Sequence, residues 1–185
     1  MAPTEDQLPR TIPAVALIHQ EGVIGVIALV GLSFRPQGLV DALSPVGSLA
    51  LALLVGVGAG ALSAGLFRCL RSLPPLAALE GWQRRMVKGW SIGDTVAVAV
   101  FSGLAEEALV RALLQPIIGL LPAALLFAVL HFTPDRRLWM WPVLALILGV
   151  MLGILFEYGG YPAAAAAHVT INAVSLYWLQ RSADG

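Results

Sequence analysis

Cysteine occurs once in the 185 residues, at Cys69, which excludes an intramolecular disulfide and any metal centre built on cysteine ligands. Cys69 lies among apolar residues beside Arg68 and reads as an inert packing residue. Charge is also scarce: Lys, Arg, Asp and Glu make up 12% of the chain, against about a quarter in an ordinary globular domain. Eleven basic and eleven acidic residues cancel, so no basic footprint suits nucleic acid. The opening stretch MAPTEDQLPRTIP has two acids and no basic start, which argues against a cleaved signal peptide. Internal repeats are missing, and the length leaves no room for a second soluble module. Residues 1–185 read as one integral membrane domain.

What is present is apolar. Hydrophobic residues make up 58% of the chain, and the mean hydropathy is +0.84. A spanning helix needs about 20 mostly apolar residues, and the chain offers six candidates. They run from Ala14 to Phe34, Gly47 to Phe67, Ile92 to about Ile117, a short fourth ending near Phe132, Leu138 to Phe156, and Pro162 to Leu179. The fold class is therefore all-α, a polytopic membrane helix bundle of about six transmembrane helices. The first span is the weakest, because His19, Gln20 and Glu21 interrupt its beginning; these three read as interfacial. The spacings Gly56 with Gly60 and Gly149 with Gly153 would let backbones approach closely, although glycine scatter in so Gly-rich a chain gives the same pattern. The stretch RCLRSLPPLAALEGWQRRMVKGW suggests a surface segment with a short amphipathic helix.

Loop charge predicts the orientation. With both termini cytoplasmic, that side collects Arg10, Arg68, Arg71, Arg84, Arg85, Lys88, Arg136, Arg137 and Arg181, and the outer side keeps Arg35.

Three apolar segments carry polar groups that a lipid-facing helix would not tolerate: Glu106, Glu107 and Arg111 in EEALVR, His131 closing FAVLH, and His168 with Asn172 in HVTIN. Ionisable groups at bilayer depth are costly unless they face protein or water, so each points to function. Counted from the turn near Ile118, Glu106 and His131 both lie roughly 18 to 20 Å deep at helical rise. His168 and Asn172 lie roughly 12 and 18 Å from the turn at Gly160, and helix tilt absorbs the difference. Glu107 and Arg111, four apart, can pair on one face, while Glu106 turns about 100° away toward another neighbour. His168 and Asn172 share a face, and Phe127, one turn before His131, offers an apolar wall. A lone intramembrane histidine is often only a helix contact, and the Glu107–Arg111 pair reads as structural. Three such segments in one short chain argue for a site.

The pattern EExxxR, FxxxH, HxxxN on successive membrane helices resembles the CPBP family of CAAX proteases and bacteriocin-processing, Abi-like enzymes, over about Thr95 to Leu179. The resemblance implies an intramembrane protease with its catalytic core in residues 95–179. Glu106 would be the essential carboxylate; Glu107 and Arg111 complete the first motif, His131 the second, and His168 and Asn172 the third. The chain departs from many bacterial members in having Val110 and Ala112 around Arg111, and QPIIGLLP in place of a basic loop. These departures bear on the substrate more than on the chemistry.

The mechanism expected from likeness and site chemistry has Glu106, with His131 as water partner, activating a water against a scissile carbonyl. His168 and Asn172 would donate to the oxyanion, with Glu107, Arg111 and Phe127 in support. No cofactor is expected. The alternative is zinc held by His131, His168 and Glu106, against which stands the lack of an HExxH pair. The expected partners are membrane lipids and a membrane-associated, prenylated or anchored protein or peptide substrate. The expected location is a bacterial inner membrane. Two other functions are a non-catalytic membrane partner or immunity protein, and a proton-coupled transporter subunit, since Glu and His chains also build relays.

Overall fold

A computed structural model describes residues 11–183; the polar opening residues with Arg10, and residues 184–185, lie outside it. Each expected span is a helix. α1 (Ala14–Ser33) follows Pro13, and its length and composition suffice to cross a membrane, so the weakest candidate is a helix of spanning length. A short α2 (Gly38–Ala42), which the apolar pattern did not announce, precedes α3 (Leu49–Leu70). The expected start of α3 at Gly47 moves to Leu49, because Gly47 has φ +77° and Ser48 caps the helix by accepting from Leu51 N–H. α4 (Pro74–Met86) opens on Pro74, whose missing N–H costs nothing in a first turn. It is the expected surface helix, with Leu79 and Met86 buried and its charges at the rim.

α5 (Ile92–Glu107) begins with a capping box: Ser91 Oγ accepts from Asp94 N–H at 3.1 Å, and Asp94 Oδ2 accepts from Ser91 N–H at 2.8 Å. It continues as a π-helical segment, Ala108–Leu114, and then α6 (Gln115–Ile118). Gly119, at φ +87°, makes the turn into α7 (Leu120–Leu130), a conformation that a residue with a Cβ rarely adopts. After a 3-10 turn at Arg136–Leu138, α8 (Met140–Ala183) contains both remaining spans. Its two arms fold back at Gly160, whose φ is +74° and where a Cβ would lie 2.5 Å from Ser44 O.

The arms of α8 form the axis of the bundle. The second arm runs along α3 with Gly56 against Ala163 and Gly60 against Ala167. The first arm runs the other way, with Gly149 against Ala124 of α7 and Gly153 against Gln115 and Leu120. Both small-residue spacings thus mark close helix crossings. α1 lies on the far side of α5, parallel to it: Gly25 faces Ala105 and Gly31 faces Leu113. At one end α4 packs on the 3-10 turn, where Trp82 and Trp141 meet at a tilt with centroids 5.1 Å apart. Thr95, Gln180 and Trp90 tie the start of α5 to the end of α8 there.

Cys69 corrects one expectation. It is exposed, because the buried stripe of α3 is Ala52, Gly56, Gly60 and Ala64, and Cys69 falls off that face.

Two glycines of α3 therefore respond oppositely to a methyl group. At Gly60 a Cβ would meet Ala167 O at 2.5 Å and Thr170 Cβ at 2.8 Å, while at Gly58 nothing lies within 4 Å. Gly60→Ala should lower stability by roughly 1–3 kcal/mol through overpacking. Gly58→Ala should leave it unchanged or raise it by up to about 1 kcal/mol, the helix-propensity gain. Thermal unfolding of the two purified variants in detergent checks both signs.

Candidate functional site

Glu107 closes the regular part of α5, and both its carboxylate oxygens are engaged. Oε2 accepts from Arg111 Nε at 3.1 Å and Oε1 from His168 Nδ1 at 2.9 Å. Glu107 and Arg111 are fully buried, so the pair foreseen from their spacing exists and is extended by a third member on α8. Removing one partner of such a buried pair strands a charge and costs roughly 3–5 kcal/mol. Arg111 lies in the π-helical segment. Its Nη1 reaches Gln115 Oε1 at 3.5 Å, and Gln115 Nε2 donates to Gly153 O at 3.1 Å and Glu157 Oε1 at 3.3 Å. A polar ladder Glu157–Gln115–Arg111–Glu107–His168 thus runs from an exposed carboxylate into the core.

Glu106 points elsewhere, as the 100° turn requires. Its Oε2 lies 4.0 Å from His131 Nε2, with the two side chains 16% and 22% exposed. His131 Nδ1 is 2.8 Å from Phe127 O, a carbonyl that can only accept, so Nδ1 carries the proton and Nε2 faces Glu106. His168 is held similarly: Nδ1 serves Glu107, which leaves Nε2 free. Asn172, one turn further along α8, donates through Nδ2 to Ser102 Oγ at 2.9 Å and keeps its second amide hydrogen. Phe127 is 3% exposed; its ring centroid lies 4.6 Å from His131, 5.7 Å from His168 and 5.2 Å from Arg111 Cζ. The apolar wall is real, and it touches three of the polar residues.

All seven residues singled out by sequence thus gather in one layer between α5, α7 and the second arm of α8. Gly103 permits the approach, since a Cβ there would lie 2.5 Å from Val169 Cγ2 and 2.8 Å from its backbone N. A cavity of about 190 Å³ adjoins the layer; Phe127, His131, His168 and Asn172 line it, and Arg68 and Arg71 lie on it toward the α4 end. Glu106 adjoins this cavity through His131.

Sequence reasoning missed four participants. Ser102 is buried and stands four residues before Glu106, a spacing that could have revealed it. Gln115, 4% exposed, was passed over in QPIIGLLP. The π-helical segment left no sign in the apolar pattern. Glu21 was read as interfacial with His19 and Gln20; those two are exposed, but Glu21 is buried at 5% exposure.

Comparison with known proteins agrees with this layer. A family described as "Type II CAAX prenyl endopeptidase Rce1-like" matches residues 88–174. The uncharacterized protein YpbD of Bacillus subtilis (strain 168) is 32% identical over 95 residues, which is 51% of this chain and 50% of that protein. The chain thus spans about half the length of this curated relative. No solved structure matches it. The matched segment begins just before α5, contains every motif residue and ends two residues past Asn172, so over residues 88–174 the chain is similar to the Rce1-like family of type II CAAX prenyl endopeptidases.

Proposed function

We propose that the protein is an intramembrane endopeptidase that hydrolyses a peptide bond of a membrane-associated or lipid-modified substrate with a glutamate-activated water. The observation that carries this reading is Glu106 Oε2 set 4.0 Å from His131 Nε2 beside the cavity. That separation is too long for a direct hydrogen bond and suits two groups sharing one water. The lone pair on Nε2 and the carboxylate both accept from that water.

In the proposed reaction Glu106 removes a proton as the water oxygen bonds to the scissile carbonyl carbon. The carbonyl π electrons move onto oxygen, and the oxyanion receives hydrogen bonds from Asn172 Nδ2 and His168 Nε2. Donation from His168 Nε2 requires the imidazolium, whose Nδ1–H Glu107 accepts at 2.9 Å. Collapse re-forms the carbonyl and breaks the C–N bond, and the proton held by Glu106 passes to the leaving nitrogen. Arg111 and Gln115 hold Glu107, and Phe127 excludes solvent from one side.

Zinc is a weaker reading on the geometry. Among the described residues, no three His, Cys, Asp or Glu side chains converge as metal ligands. A proton relay is disfavoured by the ladder itself, because Arg111 interrupts it and a guanidinium does not give up its proton in a protein. The basic ends of α3, α4 and the 3-10 turn gather at one end of the bundle, with Arg35 at the other. We assign the basic end to the cytoplasm of a bacterial inner membrane. The apolar cavity, which extends past His168 to Arg68 and Arg71, suits an apolar membrane-associated peptide.

Glu106→Gln, which keeps size and loses the base, should abolish cleavage of a membrane-peptide library by purified protein while leaving its thermal stability near wild type. Wild-type activity should survive exhaustive chelation in the same assay. Near-normal turnover by Glu106→Gln would remove the general base. Chelator inhibition reversed by added zinc, with stoichiometric metal, would turn the reading to a zinc enzyme.

His168→Ala and Asn172→Ala should each lower kcat by about 10²-fold or more, because oxyanion donors act mainly in the transition state. KM should change little. A change confined to KM would reassign both residues to substrate docking.

A further inference from the structure

Outside the segment shared with the Rce1-like family, α1 brings one acidic side chain into the bundle. Glu21 is 5% exposed, and its Oε2 has no hydrogen-bond partner among the described residues. It stands in the stripe Ile18, Glu21, Gly25, Ala28, Leu32 that packs on α5; Ile18 joins the cluster with Val98 and Leu179, and Ala28 and Leu32 are fully buried. A carboxyl in an apolar helix seam without a partner costs several kcal/mol, so packing alone gives no reason for it.

Register locates it. α1 and α5 run parallel with Gly25 opposite Ala105, so Glu21, one turn earlier, lies level with Phe101 and Ser102. Ser102 there holds Asn172 at 2.9 Å. Glu21 is within electrostatic reach of both Glu106 and His168. Among the described residues Glu106 makes no hydrogen bond that would fix its rotamer, and its ion-pair partner His131 stands 4.0 Å away.

We propose that Glu21 is a further positioning residue of the hydrolytic site, whose protonated carboxyl donates to the Glu106 carboxylate from the α1 side and fixes the direction in which it meets the substrate. The first helix is then part of the active centre as well as a membrane span. This inference rests on the peptidase reading above.

The test compares Glu21→Leu and Glu21→Gln with wild type and Glu106→Gln, all purified, in the membrane-peptide assay and in thermal unfolding. Glu21→Leu should raise Tm, since it replaces an unpaired buried carboxyl by an apolar side chain. It should nonetheless lower kcat about tenfold with KM within about twofold, the signature of a misaligned catalytic group. Glu21→Gln, which keeps the length and a polar end, should retain most of the wild-type kcat. A Glu21→Leu protein with higher Tm and wild-type kcat would make Glu21 a burial defect without function and overturn the proposal. A Glu21→Gln protein as slow as Glu21→Leu would also overturn it. A wild-type protein that cleaves nothing, or a Glu106→Gln protein as active as wild type, would instead overturn the peptidase reading, and this inference with it.

Discussion

A carboxylate buried to zero exposure and shared between two partners holds the polar layer together. Glu107 accepts from Arg111 on its own helix and from His168 on α8, at 3.1 and 2.9 Å. In an apolar bundle neither charge survives alone, so the ion pair must form and must bring its third member with it. His168 then has one orientation, with Nε2 free. Asn172, one turn on, follows and reaches Ser102. The adjacent Glu106 is turned by helical geometry onto His131. Two successive glutamates therefore carry different duties: one builds, and the other is left available for chemistry.

Helices can meet at that layer only where side chains are small. Gly103 against Val169, and Gly56 and Gly60 against Ala163 and Ala167, bring backbones to distances that a methyl group would forbid, and Gly153 leaves room for the Gln115 side chain. The π-helical segment after Glu107 serves the same end. Segments of this kind recur at functional sites, and here one carries Arg111 and delivers Gln115 onto α8. The polar contacts and the glycines are thus one design: each hydrogen bond across helices needs a close crossing nearby.

The spans and the site were legible in the sequence to different depths. Apolar runs mark all six expected helices, the fourth of them a short one, because backbone hydrogen bonding leaves a membrane chain few alternatives. The motif residues stood out because charge at bilayer depth is rare, and simple rise per residue brought Glu106 and His131 to one level. Positions set by tertiary contact were hidden. Nothing local distinguishes Glu21 from its neighbours His19 and Gln20; only the packing of α1 on α5 buries one and exposes the others. Gln115 looked like a loop residue because the π-helical segment that carries it inward has no apolar period of its own. Cys69 looked buried because its neighbours are apolar, yet in a membrane protein apolar residues also face outward.

Under the proposed function, this layer cleaves proteins of the membrane in which it sits, with Glu106 as the base. The most direct measurement is mass-spectrometric mapping of membrane-protein termini in cells producing the wild-type chain or Glu106→Gln at equal levels. The account predicts a discrete set of new termini, within or beside apolar segments, that appear with the wild-type chain and are missing with the variant. Identical termini in the two cell populations would contradict it.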